Sequence, residues 1–273
     1  MTSTPISGEQ RRLQILDYLC ERESSSVDEL ASQFAVSRMT IHRDLEQLVA
    51  MQCVRKTHGG VTILPSVVFD SNFNYRGRRH QEEKRALARH VSELIEPGMT
   101  LIIDDSSTTG ALIEFLPLRK PLTVITNAAR VVTSMIRREE LTVICLGGQY
   151  DVVMDAFLGI DCELALARLR ADLGIFSTAG VRNGSAYLHQ GDLTRTKIAM
   201  KAAVERSFLL FDHSKFGKSA LHLFGQLKEF DRVFTTEGAD ANEINRLRND
   251  GVPIEVVPMQ ADTPSKGEEI RDE

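Results

Sequence analysis

Ser37-Arg38-Met39-Thr40-Ile41-His42-Arg43-Asp44-Leu45-Glu46-Gln47-Leu48 is the stretch that decides the architecture. Ile41, Leu45 and Leu48, with Val49 beyond, recur at i, i+4, i+7 and i+8, which is one stripe of an α-helix. Ser37 stands where an N-cap belongs, its hydroxyl able to take a backbone N–H of the first turn. Arg38, Met39, Thr40, His42 and Arg43 fall off the stripe, towards the helix start. Such a helix packs on one side and offers Arg, Thr and His on the other. Arg bonds bidentately to guanine in the DNA major groove, and a helix N-terminus favours phosphate.

The preceding residues supply a partner for it. Gly8 to Glu23 reads as a first helix, with Leu13, Leu16, Leu19 and Cys20 on its apolar face, Ile15 beside them, and Ser24-Ser25-Ser26 breaking it. Ser26-Val27-Asp28-Glu29 has the form of a capping box, and Val27, Leu30, Ala31 and Phe34 predict a short second helix. Two short helices joined by a few residues, the second carrying exposed Arg, make a helix-turn-helix. Beyond it, apolar and polar residues alternate on both sides of His58-Gly59-Gly60, which predicts a β-hairpin. Arg55, Lys56 and His58 would lie along this wing, in reach of phosphate or the minor groove. From Val36 to Ile63 the charges are Arg38, Arg43, Arg55 and Lys56 against Asp44 and Glu46, a formal +2. Asp44 would be repelled by DNA and is read as pairing with a nearby basic group.

The 273 residues carry a net charge of −5, with 42% hydrophobic and 26% charged side chains. A local basic face, not the whole chain, must therefore meet any polyanion. Four scattered cysteines lack a C-x-x-C pair and no His makes ligand spacing with them, so neither a metal site nor a disulfide framework is expected, and no cofactor is implied. No apolar run approaches the roughly 20 residues of a membrane span, and Met1 to Gly8 lack a signal-peptide core, so the expectation is a cytoplasmic, nucleoid-associated protein with no membrane partner.

Phe69 to His80 is polar and reads as an irregular linker, followed by a helix from Gln81 to Ile95 that Pro97-Gly98 stops. Arg76, Arg78, Arg79, Lys84, Arg85 and Arg89 form a basic cluster here, read mainly as a solvated face, with anion binding as the other reading. From Thr100 the chain alternates predicted strands (100–104, 122–126, 141–146, 173–177, 207–211, 232–235, 254–257) with helical runs (111–116, 128–137, 162–170, 193–204, 241–249). That is an α/β sheet covered by helices, whose ligands bind beyond the carboxyl ends of the strands. Five loops follow strands: Asp104-Asp105-Ser106-Ser107-Thr108-Thr109-Gly110, Thr126-Asn127, Gly147-Gly148, Thr178-Ala179-Gly180, and Asp212-His213-Ser214-Lys215-Phe216-Gly217. Hydroxyls and backbone N–H groups of the first make an anion cradle, Lys215 offers a cation, and Asp212 an acceptor for sugar hydroxyls. Each loop alone reads equally as a turn or a cap; together they point to a site for an anionic polyol.

Ser37 with Thr40-Ile41-His42-Arg43-Asp44-Leu45 and Leu48, followed by Arg55-Lys56-Thr57-His58-Gly59-Gly60-Val61, resembles the signature of the DeoR family of bacterial transcriptional regulators, in which Arg usually stands at the place of His42. The second half resembles that family's sensor domain through Asp104 with Ser107-Thr108-Thr109, Thr126-Asn127, Gly147-Gly148, Phe157 and Gly159, Ala179-Gly180, Lys197, and Asp212-x-Ser214-Lys215-Phe216-Gly217. Arg76 and Lys84 also match. Ser106 stands where Gly is frequent and Asp151 where a basic residue is common. The resemblance implies an α/β chain: a winged helix-turn-helix DNA-binding domain over 8–63, a linker over 64–80, and over 81–258 an α/β sensor domain similar to ribose-5-phosphate isomerase-like and CoA-transferase-like folds. Residues 259–273 read as a disordered tail. It implies a repressor of sugar or polyol catabolism genes that is not an enzyme. Its partners would be operator DNA, a phosphorylated sugar or polyol, and further copies of itself in a dimer or tetramer. Asp104, Ser106, Ser107, Thr108, Thr126, Asn127, Gly147, Gly148, Ala179, Gly180, Lys197, Asp212, Ser214, Lys215 and Phe216 are the expected effector residues. The rival is a sugar-phosphate isomerase-like enzyme with an accessory helical domain, using Asp104 and Lys215 as acid–base groups.

Overall fold

Ser7 and Gln10 close a capping box that starts the first helix, α1 (Gly8–Arg22). The structure, a computed structural model, describes residues 7–51, 53–63, 73–136 and 138–259. The part of the connector at 64–72 and the tail from 260 onward lie outside the described residues. After α1 come β1 (Ser24–Ser26), α2 (Val27–Gln33), α3 (Arg38–Ala50) and the hairpin strands β2 (Val54–Thr57) and β3 (Gly60–Ile63). The Ser26–Glu29 capping box and the Ser37 N-cap are both formed. Ile15, Leu16 and Leu19 of α1, Leu30 of α2 and Ile41, Leu45 and Leu48 of α3 bury one small core with Val54 and Val61. Ile15 thus lies within the apolar face of α1, not beside it.

The serines at 24–26 do more than break a helix. They add a third strand, antiparallel to β3, with Ser25 opposite Val61. A Cβ on Gly60 would lie 2.4 Å from the Ser25 carbonyl oxygen, so glycine is what lets β3 approach β1. At the hairpin tip only Gly59 takes positive φ, +83°.

The connector is not wholly irregular. Phe73–Arg78 forms a short helix, α4, and α5 (Gln81–Ser92) follows. The central sheet holds β4 (Thr100–Ile103), β5 (Leu122–Thr126), β6 (Leu141–Cys145), β9 (Ala171–Ser177), β12 (Val204–Leu210), β14 (Arg232–Thr236) and β15 (Ile254–Val257). All seven are parallel, in the order β15-β14-β12-β9-β4-β5-β6. β4, β5 and β9 at the centre are near-continuous buried apolar runs, as in a parallel sheet covered on both faces, whereas β6 at the edge is largely exposed. Helices α6 (Ser107–Gly110), α7 (Ala129–Met135), α8 (Ile160–Leu166), α9 (Gly191–Ala202) and α10 (Ala241–Asn249) connect them. The expected helix at 111–116 is instead two 3-10 turns, Ala111–Glu114 and Leu116–Arg119, the second holding Pro117. Five short strands escaped the alternation pattern: β7 (Gln149–Asp151), β8 (Ala156–Leu158), β10 (Gly180–Arg182), β11 (Ser185–Leu188) and β13 (His222–Gln226). β7, β8 and β10 have only three residues each, too few to show a period of two.

The chain runs outward from β4 to β6, then returns to place β9 beside β4. The strand order therefore reverses between β4 and β9. The crevice beyond the carboxyl ends of such a pair is where open α/β sheets bind ligands.

Candidate functional site

Asp104 and Lys197 occupy that crevice. Asp104 follows β4; Lys197 reaches in from α9. The Lys197 Nζ lies 2.7 Å from Asp104 Oδ2 and donates to Ser106 Oγ at 2.8 Å and to the Ser177 carbonyl at 3.1 Å. Both side chains are fully buried. Asp104 also accepts from the backbone N–H groups of Ser106 (3.0 Å) and Ser177 (2.9 Å), and from the hydroxyls of Ser106 (3.0 Å) and Thr109 (2.6 Å). An ion pair this dry persists only when every lone pair and proton is matched, as here. Its effect is to tie β4, β9 and α9 together. The expected anion cradle is thus largely closed by its own bonds, and α6 is a single turn.

Asp105 is different. It too is buried, yet neither carboxylate oxygen accepts a hydrogen bond. Burial raises the pKa of its carboxyl, against the pull of Lys197, whose Nζ is 3.7 Å from Oδ1.

A second cluster forms where the connector meets the loop after β12. Arg76, Arg79, Lys84, Lys215 and Lys218 bring five basic side chains to one pocket, with Asp212, Ser214 and His80 on its wall. Lys84 is buried; its Nζ donates to the Arg76 carbonyl and, at 3.1 Å, to Ser107 Oγ. Burial, and then the nearby Lys215 charge, lower the Lys84 pKa to about 7. Asp212 accepts from the Ser214 N–H at 3.1 Å and from its hydroxyl. Burial works to raise the Asp212 pKa, but Lys215 and the Ser214 hydroxyl outweigh it and hold the carboxylate charged. This pocket matches an oxyanion in charge and donors. His80, Glu83 and His213 bring ligand atoms within 4.8 Å of one another. His80 Nδ1 is already 2.9 Å from Glu83 and His213 Nδ1 lies 3.4 Å from the Thr236 hydroxyl, and the surrounding cations oppose a metal ion.

The structure brings Ser107, Asp212, Ser214 and Lys215 around Lys84, and Asp104, Ser106 and Lys197 to the crevice. Thr108 is buried behind them. Thr126 caps the next turn through the Ala128 N–H (3.1 Å), and Asn127 donates to the Phe157 carbonyl (3.1 Å). Gly148, with φ +125°, leaves no room for a Cβ beside the Leu158 carbonyl, and Gly180 leaves none beside that of Lys218. Ala179 donates to the Tyr187 carbonyl, and Phe216 packs edge-on to Phe211. Gly147 is exposed between β6 and β7. Arg76, Arg79 and Lys84 belong with the loop after β12, although their run of charges reads first as a solvated face. What the linear pattern hides is the burial of Lys84.

In the N-terminal unit, Ser37 Oγ accepts from the Thr40 N–H at 3.2 Å. Met39, His42 and Arg43 are exposed on the same end of α3. Arg38 pairs with Asp28 at 2.8 Å and Lys56 with Glu46 at 3.7 Å, both in solvent, where such pairs cost little to exchange for phosphate. Arg55 and His58 are exposed on the wing. Asp44 is buried and accepts from Arg11 at 2.6 Å and Arg12 at 3.3 Å, the pairing expected of it.

The family model of the DeoR C terminal sensor domain matches residues 79–237, and that of the DeoR-like helix-turn-helix domain matches residues 11–67. The chain belongs to the DeoR family. It is similar to the lactose phosphotransferase system repressor of Staphylococcus epidermidis, at 31% identity over 87% of this chain and 94% of that one. It is also similar to the glycerol-3-phosphate regulon repressor of Escherichia coli, at 29% identity over 90% and 98%. Among solved structures it resembles ribose 5 phosphate isomerase A from Neisseria gonorrhoeae, at 18% identity over 50% of this chain and 54% of that one, with a TM-score of 0.37, too slight a likeness to carry weight. As a DeoR-family member the chain is a DNA-binding transcriptional regulator, and its relatives favour that over the enzyme reading. Among the described residues no helix is long and apolar enough to cross a membrane.

Proposed function

We propose that this DeoR-family protein represses genes of sugar or polyol catabolism and leaves its operator when a phosphorylated sugar or polyol binds the sensor. The observation that carries this is the meeting of Lys84, Lys215 and Ser214 with Arg76 in one pocket at the strand ends. Phosphate would lie against these donors. The carbon chain of the ligand would run towards the β4–β9 crevice. Ser37, Arg38, Met39, Thr40, His42 and Arg43 would enter the major groove, with Arg55, Lys56 and His58 of the wing on the backbone.

The pocket also suggests how the signal leaves. Arg76 belongs to α4, the last part of the connector, and α4 packs on α6. Lys84 holds the Arg76 carbonyl and Ser107 at once. A phosphate competing for Lys84 would loosen that clasp and shift α4, on the side from which the chain comes from the winged helix. An effector that prefers one placement of α4 shifts the population and hence the DNA affinity. Two reading heads are needed for a two-fold operator, so the working form is a homo-oligomer, dimer or tetramer.

The test is a thermal-shift and turnover screen of the full chain against sugar and polyol monophosphates. A ligand at about 100 times its Kd stabilises by about 2.7 kcal/mol, which a melting curve resolves. Stabilisation without turnover is expected. Robust turnover of any member would overturn the regulator-only reading.

A further inference from the structure

Two buried side chains at the ends of neighbouring strands, Asp105 and Asn127, keep acceptor atoms that the fold leaves unsatisfied. Asp105 is 1% exposed and both of its oxygens lack a donor. Lys197 does not serve it. An ammonium has three protons, and those of Lys197 go to Asp104, Ser106 and Ser177. One strand over, Asn127 is fully buried; its amide nitrogen donates to Phe157, and its Oδ1 is left without a partner. Ile103 pairs with Thr126, so Asp105 and Asn127 leave the ends of adjacent strands. Three buried acceptor atoms that take no hydrogen bond are therefore set at the place where this topology binds ligands. Buried acceptors left unpaired are costly, and natural folds keep few of them without a use.

We infer that Asp105 and Asn127 read the hydroxyl groups of the effector, and that the ligand they select carries a vicinal diol at the end remote from its phosphate. The inference rests on the phosphate-binding reading of the Lys84–Lys215 pocket. Arg76 joins the two ends: its charge acts on both Lys84 and Asp105. Neutral hydroxyls suit the site better than an ammonium or a metal ion, because Lys197 already stands 3.7 Å from Asp105 and the Arg76 charge also acts on it. A carboxylate with two open oxygens accepts from two neighbouring hydroxyls at once, and a site built to bond a hydroxyl rejects the analogue that lacks it. Asp105 is thus a specificity-determining residue. It lies just before α6, on which α4 packs, so a ligand that reaches it presses on the connector.

The experiment is calorimetric titration of the full chain with matched pairs: glycerol 3-phosphate against propyl phosphate, and ribose 5-phosphate against 2-deoxyribose 5-phosphate. Inorganic phosphate serves as the phosphate-only probe. In the wild type, the diol member of at least one pair binds tenfold or more tighter. Asp105→Ala brings that preference within about twofold, changes the affinity for inorganic phosphate less than twofold, and leaves the unliganded melting temperature equal or higher, since an unpaired buried carboxylate has gone. Asp105→Asn keeps the shape and one acceptor; it lowers the preference in part and covers the case in which the alanine variant does not fold. A preference retained in both variants overturns the inference, as does a wild type that binds phosphate with no diol preference in either pair. A wild type that binds none of these compounds overturns the phosphate pocket as well.

Discussion

Lys84 of α5 donates to Ser107, the first residue of α6, at 3.1 Å, and the same ammonium holds the carbonyl of Arg76 in α4. One buried cation therefore spans the connector and the strand-end loops. Its position makes it the natural point at which an anion would be felt by the rest of the chain.

Burial and Lys215 lower the Lys84 pKa to about 7, so in the free protein its proton is largely lost above that value. A bound phosphate raises the pKa again, so binding takes up a proton. Affinity then falls as pH rises above about 7, by at most about tenfold per pH unit for one linked proton. The ligand does not mask this, since a phosphate monoester, with its second pKa near 6, is already dianionic. Titration at pH 7.5 in buffers of different ionisation enthalpy is expected to show net proton uptake; its absence contradicts the role of Lys84. For the unliganded protein the sign is opposite to that of a paired lysine. The unfolded chain holds more protons between about 7 and about 10.4, so this group adds stability as pH rises through that window.

Lys197→Met is predicted to cost about 3–5 kcal/mol of stability, the usual result of stripping the partner from a dry charge, here Asp104. Chemical unfolding of the two proteins measures it. A variant as stable as the wild type would mean that the Asp104–Lys197 contact does not hold β4, β9 and α9 together.

Much of this was legible in the sequence. The capping residues Ser26 and Ser37, the stripe Ile41-Leu45-Leu48, the wing turn and the bounds of β5, β15 and α10 all follow from local rules that the structure obeys. Asp44 could be placed inside because a carboxylate facing DNA makes no physical sense. What was not legible depends on distant contacts. Ser24–Ser26 becomes a strand only because Gly60 lets β3 approach, and α4 is helical in a polar run that suggested a linker. Lys84 reads as one charge among many until its burial is seen. Asp105 sits beside Asp104 in the same loop, and nothing in the linear pattern says that one is fully bonded and the other has no donor.

Arg43→Ala is predicted to weaken operator binding by about 1–3 kcal/mol, the range of one bidentate base contact, with effector-induced stabilisation unchanged. Arg43 is exposed, so the fold has no call on it. Anisotropy with a labelled duplex and thermal shift with effector report the two properties separately. Loss of both would argue against separate modules.

Lys215→Ala is predicted to do the reverse. It removes a cation from the pocket without touching α3, so the variant binds operator normally and stays bound when effector is added. Gel-shift titration with effector checks this; unimpaired release would take Lys215 out of the site.

Control of DNA affinity by an anion in the sensor can be read in one titration. The most direct measurement selects duplexes from the protein's own genome at moderate salt, then titrates the preferred duplex with and without a sugar phosphate that stabilises the protein. One preferred duplex is expected, with a drop in its affinity of tenfold or more when the ligand is present. No preferred duplex, or an affinity that the stabilising ligand leaves unchanged, would contradict that control.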